Sequence, residues 1–544
     1  MRGVVLVWSI AAVAGCGPTT PAHTPVGGEQ ILTFSVVTTG RHSGDAEIRI
    51  APDGVRRTHF AFNDRGRGPD TTTTLIVDGS GAPRQYRVTG VNYRKVPVDE
   101  QLDDEGGMLR WTSDSDRGRA PDGSGWYLSL QIGIDPIALL ARGLLHAPGH
   151  RLQLLPAGEA WIDDDTVREI DIAGVRRRLH RVAVAGLDFT PQLIWLDEND
   201  EMFAYVAPWT SVIRTGAEPA IAALLADDLA WSAAREARLA GKLAHRPPGG
   251  QLALVHARLF DSERRVVVPD ATVVVEGDRI TAVGDATTPV PTGAQVIDAH
   301  GRTVLPGLWD MHVHLFGGQG VLQLASGITT VRDMGNDIDG LAARIARFDA
   351  GTEIGPHVLR AGLIDGPGPF PAPTGIVAGS ADEAIAAVAR YAAAGYPQIK
   401  IYSSVLPAWV PAIAAAAHAR GLRVSGHIPN GMNAAQAVEA GFDEIQHANF
   451  LFLRFVAEPG DDTRTPLRFS RVAERAADLD LAGPEVARFL DLLAARRTVL
   501  DPTLVTFHGM FTADPGELDP IFVPYEDRLP AQVVRGRRAG GLAA

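Results

Sequence analysis

Thr303-Val304-Leu305-Pro306-Gly307-Leu308-Trp309-Asp310-Met311-His312-Val313-His314-Leu315 places two histidines at i and i+2, at the end of an apolar run opened by a Pro-Gly pair. In a β-strand, residues two apart point to the same face, so both imidazoles aim into one pocket. Neutral imidazole is a good zinc ligand, and two on one face make half of a metal site. Paired surface histidines are common, so this motif gains meaning only from partners elsewhere in the chain.

Three such partners lie downstream, each at the end of a short strand-like run. Pro397-Gln398-Ile399-Lys400-Ile401-Tyr402 holds a lysine inside an apolar strand; Leu422-Arg423-Val424-Ser425-Gly426-His427 and Phe442-Asp443-Glu444-Ile445-Gln446-His447 each end in a histidine. Alanine-rich helical stretches separate them: Ser380 to Ala394, Pro407 to Arg420 and Asn433 to Ala440. Strands alternating with helices of this length predict a parallel βα repeat. In a (β/α)₈ barrel, side chains at the C-terminal ends of successive strands converge on one face, where the chemistry is placed. Alone, His427 or His447 reads as a satisfied core histidine and Lys400 as an edge-strand lysine. Together the five residues occupy equivalent points of one repeat. His418, on the intervening helix, reads as a surface residue.

Residues from about Gln251 to Thr506 resemble the amidohydrolase superfamily of metal-dependent hydrolases. The features that carry the resemblance are Leu305-Pro306-Gly307-Leu308-Trp309-Asp310-Met311-His312-Val313-His314, then Gly327-Ile328-Thr329-Thr330-Val331-Arg332-Asp333, then Lys400, His427 and His447 in order. The lysine in Gln398-Ile399-Lys400-Ile401-Tyr402 is similar to that of the imidazolonepropionase-like and Xaa-Pro dipeptidase-like branch. The resemblance implies two divalent metal ions, zinc (Zn2+) in the first instance. His312 and His314 would hold the more buried metal, His427 and His447 the more exposed one, and a carboxylated Lys400 would bridge them. An ammonium cannot ligate a cation, whereas a carbamate is an anionic ligand that spans two metals. Two metals lower the pKa of a bridging water, polarise the scissile carbonyl and clamp the tetrahedral intermediate.

Barrels of this family take a final aspartate from the end of the eighth strand. Here the seventh strand reads as Thr498 to Thr506, and no eighth strand ending in Asp is legible before Ala544. Asp501 lies inside the seventh strand before Pro502 and does not occupy that position. The barrel is therefore expected to be incomplete before its eighth strand, with two unpaired edges.

At the other end, Met1-Arg2-Gly3 precedes the apolar run Val4 to Ala14 and then Gly15-Cys16. One positive charge, a short apolar core and small residues before the cut form a secretory signal, and the run is shorter than the roughly 20 residues a membrane span needs. Val13-Ala14-Gly15-Cys16 resembles a bacterial lipobox, which implies lipidation of Cys16 and export to the cell envelope, at the outer membrane. Cys16 is the single cysteine of the 544 residues, so no internal disulfide forms. The net charge of −13 argues against a nucleic-acid partner, and against attraction of acidic substrates except through local charges.

The expected organisation is a signal peptide (1–15), a tether rich in Pro, Gly and Thr (16–30), a β-rich domain with helices (31–245), a small β-sandwich (251–302) and the barrel (303–544). In the β-rich region, short runs such as Ile31 to Val37, Ala46 to Ile50, Thr74 to Val77 and Gln192 to Leu196 alternate with turn signals at Asp53-Gly54, Asp78-Gly79, Asp122-Gly123 and Asn199-Asp200. That is antiparallel meander grammar, with helices at Pro136 to Leu145 and Gly216 to Leu239. A twisted sheet wrapped on a helix is expected there. Its role stays open between binding an apolar ligand, shaping the active-site mouth and holding the enzyme off the membrane.

The function expected is hydrolysis of an amide C–N bond in a dipeptide or a cyclic or acylated small amide, by a metal-bridging hydroxide. Tyr402, two residues beyond Lys400, shares its face and is placed to hydrogen-bond the carbonyl oxygen. The stiff loop Asp365 to Pro373 is placed to line the pocket, and the insertion Leu451 to Asp480 to act as a lid. His357, at the start of the third strand, is at the wrong end for catalysis. Two alternatives stay open: a non-catalytic ligand-binding lipoprotein with a degenerate barrel, and a mononuclear deaminase or cyclic amidohydrolase.

Overall fold

The computed structural model describes residues 28–172 and 174–542. The signal segment, Cys16 and most of the tether lie outside the described residues.

The β-rich region forms one 15-stranded sheet that follows the chain as a meander. Its first strand, Gln30–Thr38, pairs antiparallel with both the second, Arg41–Ile50, and the last, Thr210–Arg214, so the two ends of the region meet at the centre of the sheet. The sheet wraps around the helix Ile134–His146, whose Leu139, Leu140 and Leu144 are buried among Phe34, Ile48, Leu102 and Ile194. This is the expected helix-filled sheet. A helix with apolar residues almost all round is stable only when enclosed, and the curved sheet supplies the enclosure. A buried ion cluster fixes the helix at its start: Arg56 donates to Asp135 at 2.6–3.0 Å and to Glu201 at 2.7 Å. A second helix, Ile221–Leu243, covers the outside of the sheet and leads to a small five-stranded sheet. That sheet is built on Gln251–Asp261 and Val266–Glu276.

The barrel comes next. Seven parallel strands run in spatial order Leu308–Val313, Ile328–Asp333, His357–Asp365, Gln398–Ile401, Arg423–Gly426, Glu444–Gln446 and Val499–Asp501, with Ile376–Val377 paired to the third. Among the described residues the first and seventh do not pair, and both show apolar side chains to solvent: Trp309 is 59% exposed and Val499 44%. The two expected edges are present. The expected helices lie between the strands. Ala381–Ala393 is capped by the Ser380 hydroxyl, and Ala434–Glu439 by a reciprocal Asn433–Gln436 capping box.

One expectation is corrected. The seventh strand covers only Val499–Asp501; Pro502 cannot donate to a strand ladder, Thr503 turns into the left-handed region at φ 47°, and Leu504–Thr512 is a helix. Beyond it the helix Ala531–Arg537 docks on the N-terminal sheet. There the buried Arg535 donates to Asp116 at 2.6 Å and to the Tyr127 hydroxyl at 3.2 Å.

Candidate metal centre

His312, His314, Lys400, His427 and His447 all line one cavity of about 510 Å³ at the C-terminal ends of the strands. Strand geometry explains the layering. Gln398, Lys400 and Tyr402 are alternate residues of one chain segment and step up the barrel interior. Gln398 lies deepest, accepting from Arg332 at 3.2 Å; Lys400 places Nζ 3.3 Å from His312 Nε2; Tyr402 reaches the mouth. Below the cavity, Arg332 binds Glu444 at 2.9 Å and Asp501 at 3.0 Å, and Gln446 donates to Glu444.

Each imidazole is oriented by a different partner on its Nδ1. His312 Nδ1 faces Gln446 Oε1 at 2.6 Å, and His314 Nδ1 faces the Gly335 carbonyl at 3.2 Å. His427 Nδ1 faces Ser403 Oγ at 2.9 Å, and His447 Nδ1 faces Thr503 Oγ1 at 2.9 Å. An outer partner on one ring nitrogen fixes the ring and leaves Nε2 as the ligand atom, which is how metal-binding histidines are commonly held. The rings form a chain of neighbours, with centroids 5.5 Å apart for His314 and His312, 4.6 Å for His312 and His447, and 4.8 Å for His447 and His427.

Electrostatics favour the ligand form. Burial, then the charge of Lys400, pushes His314 down to about 3; burial also holds His312, His427 and His447 below the ordinary histidine range. All four are therefore neutral near pH 7. Lys400 is 1% exposed, and burial lowers its ammonium to about 7, against the opposing pull of Asp333. Asp333 itself clamps the loop after His314. It accepts from the backbone of Leu315 and Gly335 at 3.0 Å and from Asn336 Nδ2 at 2.9 Å.

The donor set fits divalent metals in type and orientation: four neutral imidazoles with anchored rings around a buried amine. Among the described residues no three His, Cys, Asp or Glu side chains stand at the spacing of a closed metal site. The fifth member is a lysine, which becomes a ligand only as a carbamate. Backbone strain accompanies the set, since His447 has φ 70°, a conformation rare for a residue with a side chain.

The other sequence-marked residues sort cleanly. His357 is exposed at the start of its strand, and His418 pairs with Asp443 at 3.0 Å outside the cavity. Asp501 lies beneath His312, 3.8 Å from its Nδ1, and does not line the cavity. Tyr402 does line it. Pro373 of the stiff loop lines the cavity as the sequence suggested, and Pro466 and Phe469 of the insertion contribute walls.

Sequence reasoning left shaping of the mouth as one of three open roles for the N-terminal domain and missed the residues involved. Arg65, Arg67, Tyr93, Arg94 and Trp209 form one side of the mouth, so that domain shapes the entrance to the cavity. The signal was present only as an Arg-rich turn, Asp64-Arg65-Gly66-Arg67, with nothing local to say where it docks. Asp365 was also missed; it accepts from the backbone of Gly366, Ala372 and Ser404 at 2.7–2.9 Å and pins the proline loop.

Residues 295–464 match the model described as amidohydrolase family. The chain is 49% identical over 55 residues to an imidazolonepropionase of Paenarthrobacter aurescens (strain TC1), covering 10% of this chain and 13% of that protein. It is 40% identical over 90 residues to an adenine deaminase of Paracoccus denitrificans (strain Pd 1222), covering 15% of this chain and 14% of that one. The matched stretches thus span about one seventh of these relatives or less. A solved Xaa-Pro dipeptidase with methionine bound in its active site is similar at 20% identity and TM-score 0.35, over 53% of this chain and 73% of that one. The matched residues 295–464 include His312, His314, Lys400, His427 and His447.

Proposed function

We propose that this chain is a metal-dependent hydrolase of amide C–N bonds in small molecules or dipeptides. The observation that carries the reading is that four imidazoles from three different strand ends, each anchored through Nδ1, converge around one buried lysine. His312 and His314 would hold one divalent ion, His427 and His447 a second, and a carboxylated Lys400 would span them. An amine whose proton is lost near neutrality attacks CO₂, forming the N–C bond of the carbamate and releasing one proton to solvent. The ions, when bound, supply Lewis-acid polarisation of the carbonyl and an activated water.

The chain's own residues supply the rest. The Tyr402 hydroxyl accepts from Arg65 Nη1 at 3.0 Å, which leaves its proton free to donate. That proton is placed to stabilise negative charge developing on the carbonyl oxygen. Phe450, Phe469 and Phe507 form apolar walls that exclude water and receive the acyl or side-chain part of the substrate.

The test is zinc content and turnover measured together on monodisperse protein made without its signal. About two tightly bound zinc ions per chain with hydrolysis of a small amide supports the reading. Metal-free protein without activity after zinc and bicarbonate are supplied would leave the non-catalytic alternative. Lipidation of Cys16 and placement at the outer membrane belong to the same proposal. Fatty-acid labelling that persists in Cys16→Ser would remove that part.

A further inference from the structure

The mouth of the cavity carries an unusual charge pattern. Arg65, Arg67, Arg94 and Arg468 line it together with Lys400, and no Asp or Glu lines it among the described residues. This stands against a chain whose net charge is −13. The pattern is assembled from two distant parts of the sequence, so it does not come from a local basic run.

The N-terminal part is a built structure. Asp64 is buried and accepts from Arg65 Nε at 2.8 Å, Arg65 Nη2 at 3.1 Å, Trp209 Nε1 at 3.2 Å and the Tyr93 hydroxyl. Burial alone would raise its carboxyl, but the hydrogen bonds from Arg65 hold it below the ordinary range. Asp64 therefore acts as an anionic hub that aims Arg65. Arg65 takes a left-handed φ of 56°, and its guanidinium stacks 4.8 Å over Trp209 and reaches Tyr402 on the barrel. Strain of this kind persists where the surroundings over-determine it, and it clusters at ligand sites.

The barrel part is Arg468, on the insertion helix Leu467–Arg475. Its side chain is buried to 8% exposure, stacks 4.6 Å over Phe469, and has no ion pair among the described residues. The groups acting on it are the Tyr402 hydroxyl and the like-charged Arg67 and Arg65. A buried guanidinium facing other guanidinium groups is costly unless an anion completes it. The tip of the N-terminal turn also packs on the insertion, since a Cβ on Gly66 would lie 3.1 Å from Pro466.

We propose that the Asp64–Arg67 turn and Arg468 form an anion seat over the histidine–lysine centre, and that the substrate is an amide bearing a carboxylate which this seat receives. The planar fork of the Arg468 guanidinium matches a carboxylate in two parallel hydrogen bonds and is held by the Phe469 face beneath it, while Arg65, whose Nε and Nη2 are taken by Asp64, adds positive charge beside it. The carboxylate end is held at the mouth by residues of both domains, and the amide then lies toward Lys400. The turnover part of the inference rests on the hydrolase reading; the seat itself does not.

The probe pair is N-benzoylglycine and its primary carboxamide, titrated calorimetrically into the full chain. The free acid is expected to bind at least about 30-fold more tightly than the carboxamide, with the preference shrinking as salt is raised. Arg468→Met should abolish the preference. The partly exposed Arg67→Gln, which leaves Arg65 and Asp64 packed, should reduce it about 3- to 10-fold. His314→Asn should abolish amide turnover and leave the preference intact. Equal binding of acid and carboxamide, binding of neither, or a preference unchanged in both arginine variants overturns the seat. Acid-selective binding that needs Arg468, in a protein that hydrolyses no amide, keeps the seat and removes the hydrolase reading. Hydrolysis of acid and carboxamide at equal kcat/KM does the opposite.

Discussion

Lys400 Nζ stands 3.3 Å from His312 Nε2, although the residues lie on the fourth and first strands of the barrel. An ammonium and a neutral imidazole at this distance share one proton and leave no anion in the centre. A carbamate on Lys400 changes that balance. Lys400→Ala is expected to drop zinc from about two ions per chain to one or none and to remove turnover. Short carboxylic acids added to the Ala variant should restore part of the metal, as read by mass spectrometry of the desalted protein. Retention of both ions by Lys400→Ala would remove the bridging role.

Gly335 separates metal loss from unfolding. A Cβ at this position would lie 2.9 Å from His314 Cε1, so Gly335→Ala must push the imidazole off its line to the cavity. Zinc affinity is expected to fall about 10- to 100-fold with little change in the Tm of metal-free protein. A variant that unfolds instead would show that Gly335 serves the backbone and not the ring.

Arg332 is the hub of the barrel floor, tied to Glu444, Asp501, Gln398 and the Met311 carbonyl. Removing one partner of a buried ion pair leaves the others uncompensated, so Arg332→Met should cost about 3–5 kcal/mol in urea unfolding. The paired change Arg332→Met with Glu444→Gln should recover part of it. An unchanged midpoint in the single variant would count against the network.

Asp228 gives a pH signature far from the cavity. It is buried beneath Trp195, its Oδ1 has no hydrogen-bond partner among the described residues, and burial pushes its carboxyl up to about 7. The folded state therefore holds this proton more tightly than the unfolded chain, whose aspartate titrates near ~3.9. Its contribution to stability is fully present below ~3.9 and is lost as pH rises through about 7. Asp228→Asn should match the parent near pH 4 and exceed its Tm at pH 8. Parallel Tm curves across that range would contradict this.

The barrel was legible because its signals are periodic and local. The i, i+2 pair at His312 and His314, and the strand-ending positions of His427 and His447, come from strand geometry alone. The helix boundaries at Ser380 and Asn433 were legible for the same reason, since capping chemistry is written in adjacent residues. The seventh strand was read too long because Leu504 to Thr506 continue an apolar run, whereas Pro502 and the left-handed Thr503 turn the chain. The arginines of the mouth were illegible for a different reason. Arg65 meets Tyr402 across 337 residues, and only the folded packing of one domain on another brings them together.

Arg535 ties the C-terminal segment to the N-terminal sheet beside the cavity. It is hydrogen-bonded to Asp116 across 419 residues and to Tyr127 across 408, while Leu542, a few residues further on, contributes to the cavity wall. Contacts of such sequence separation close a loop that contains the whole barrel. One wall of the cavity is therefore held by the grip of the N-terminal sheet on the Arg535 helix, and not by the barrel strands alone.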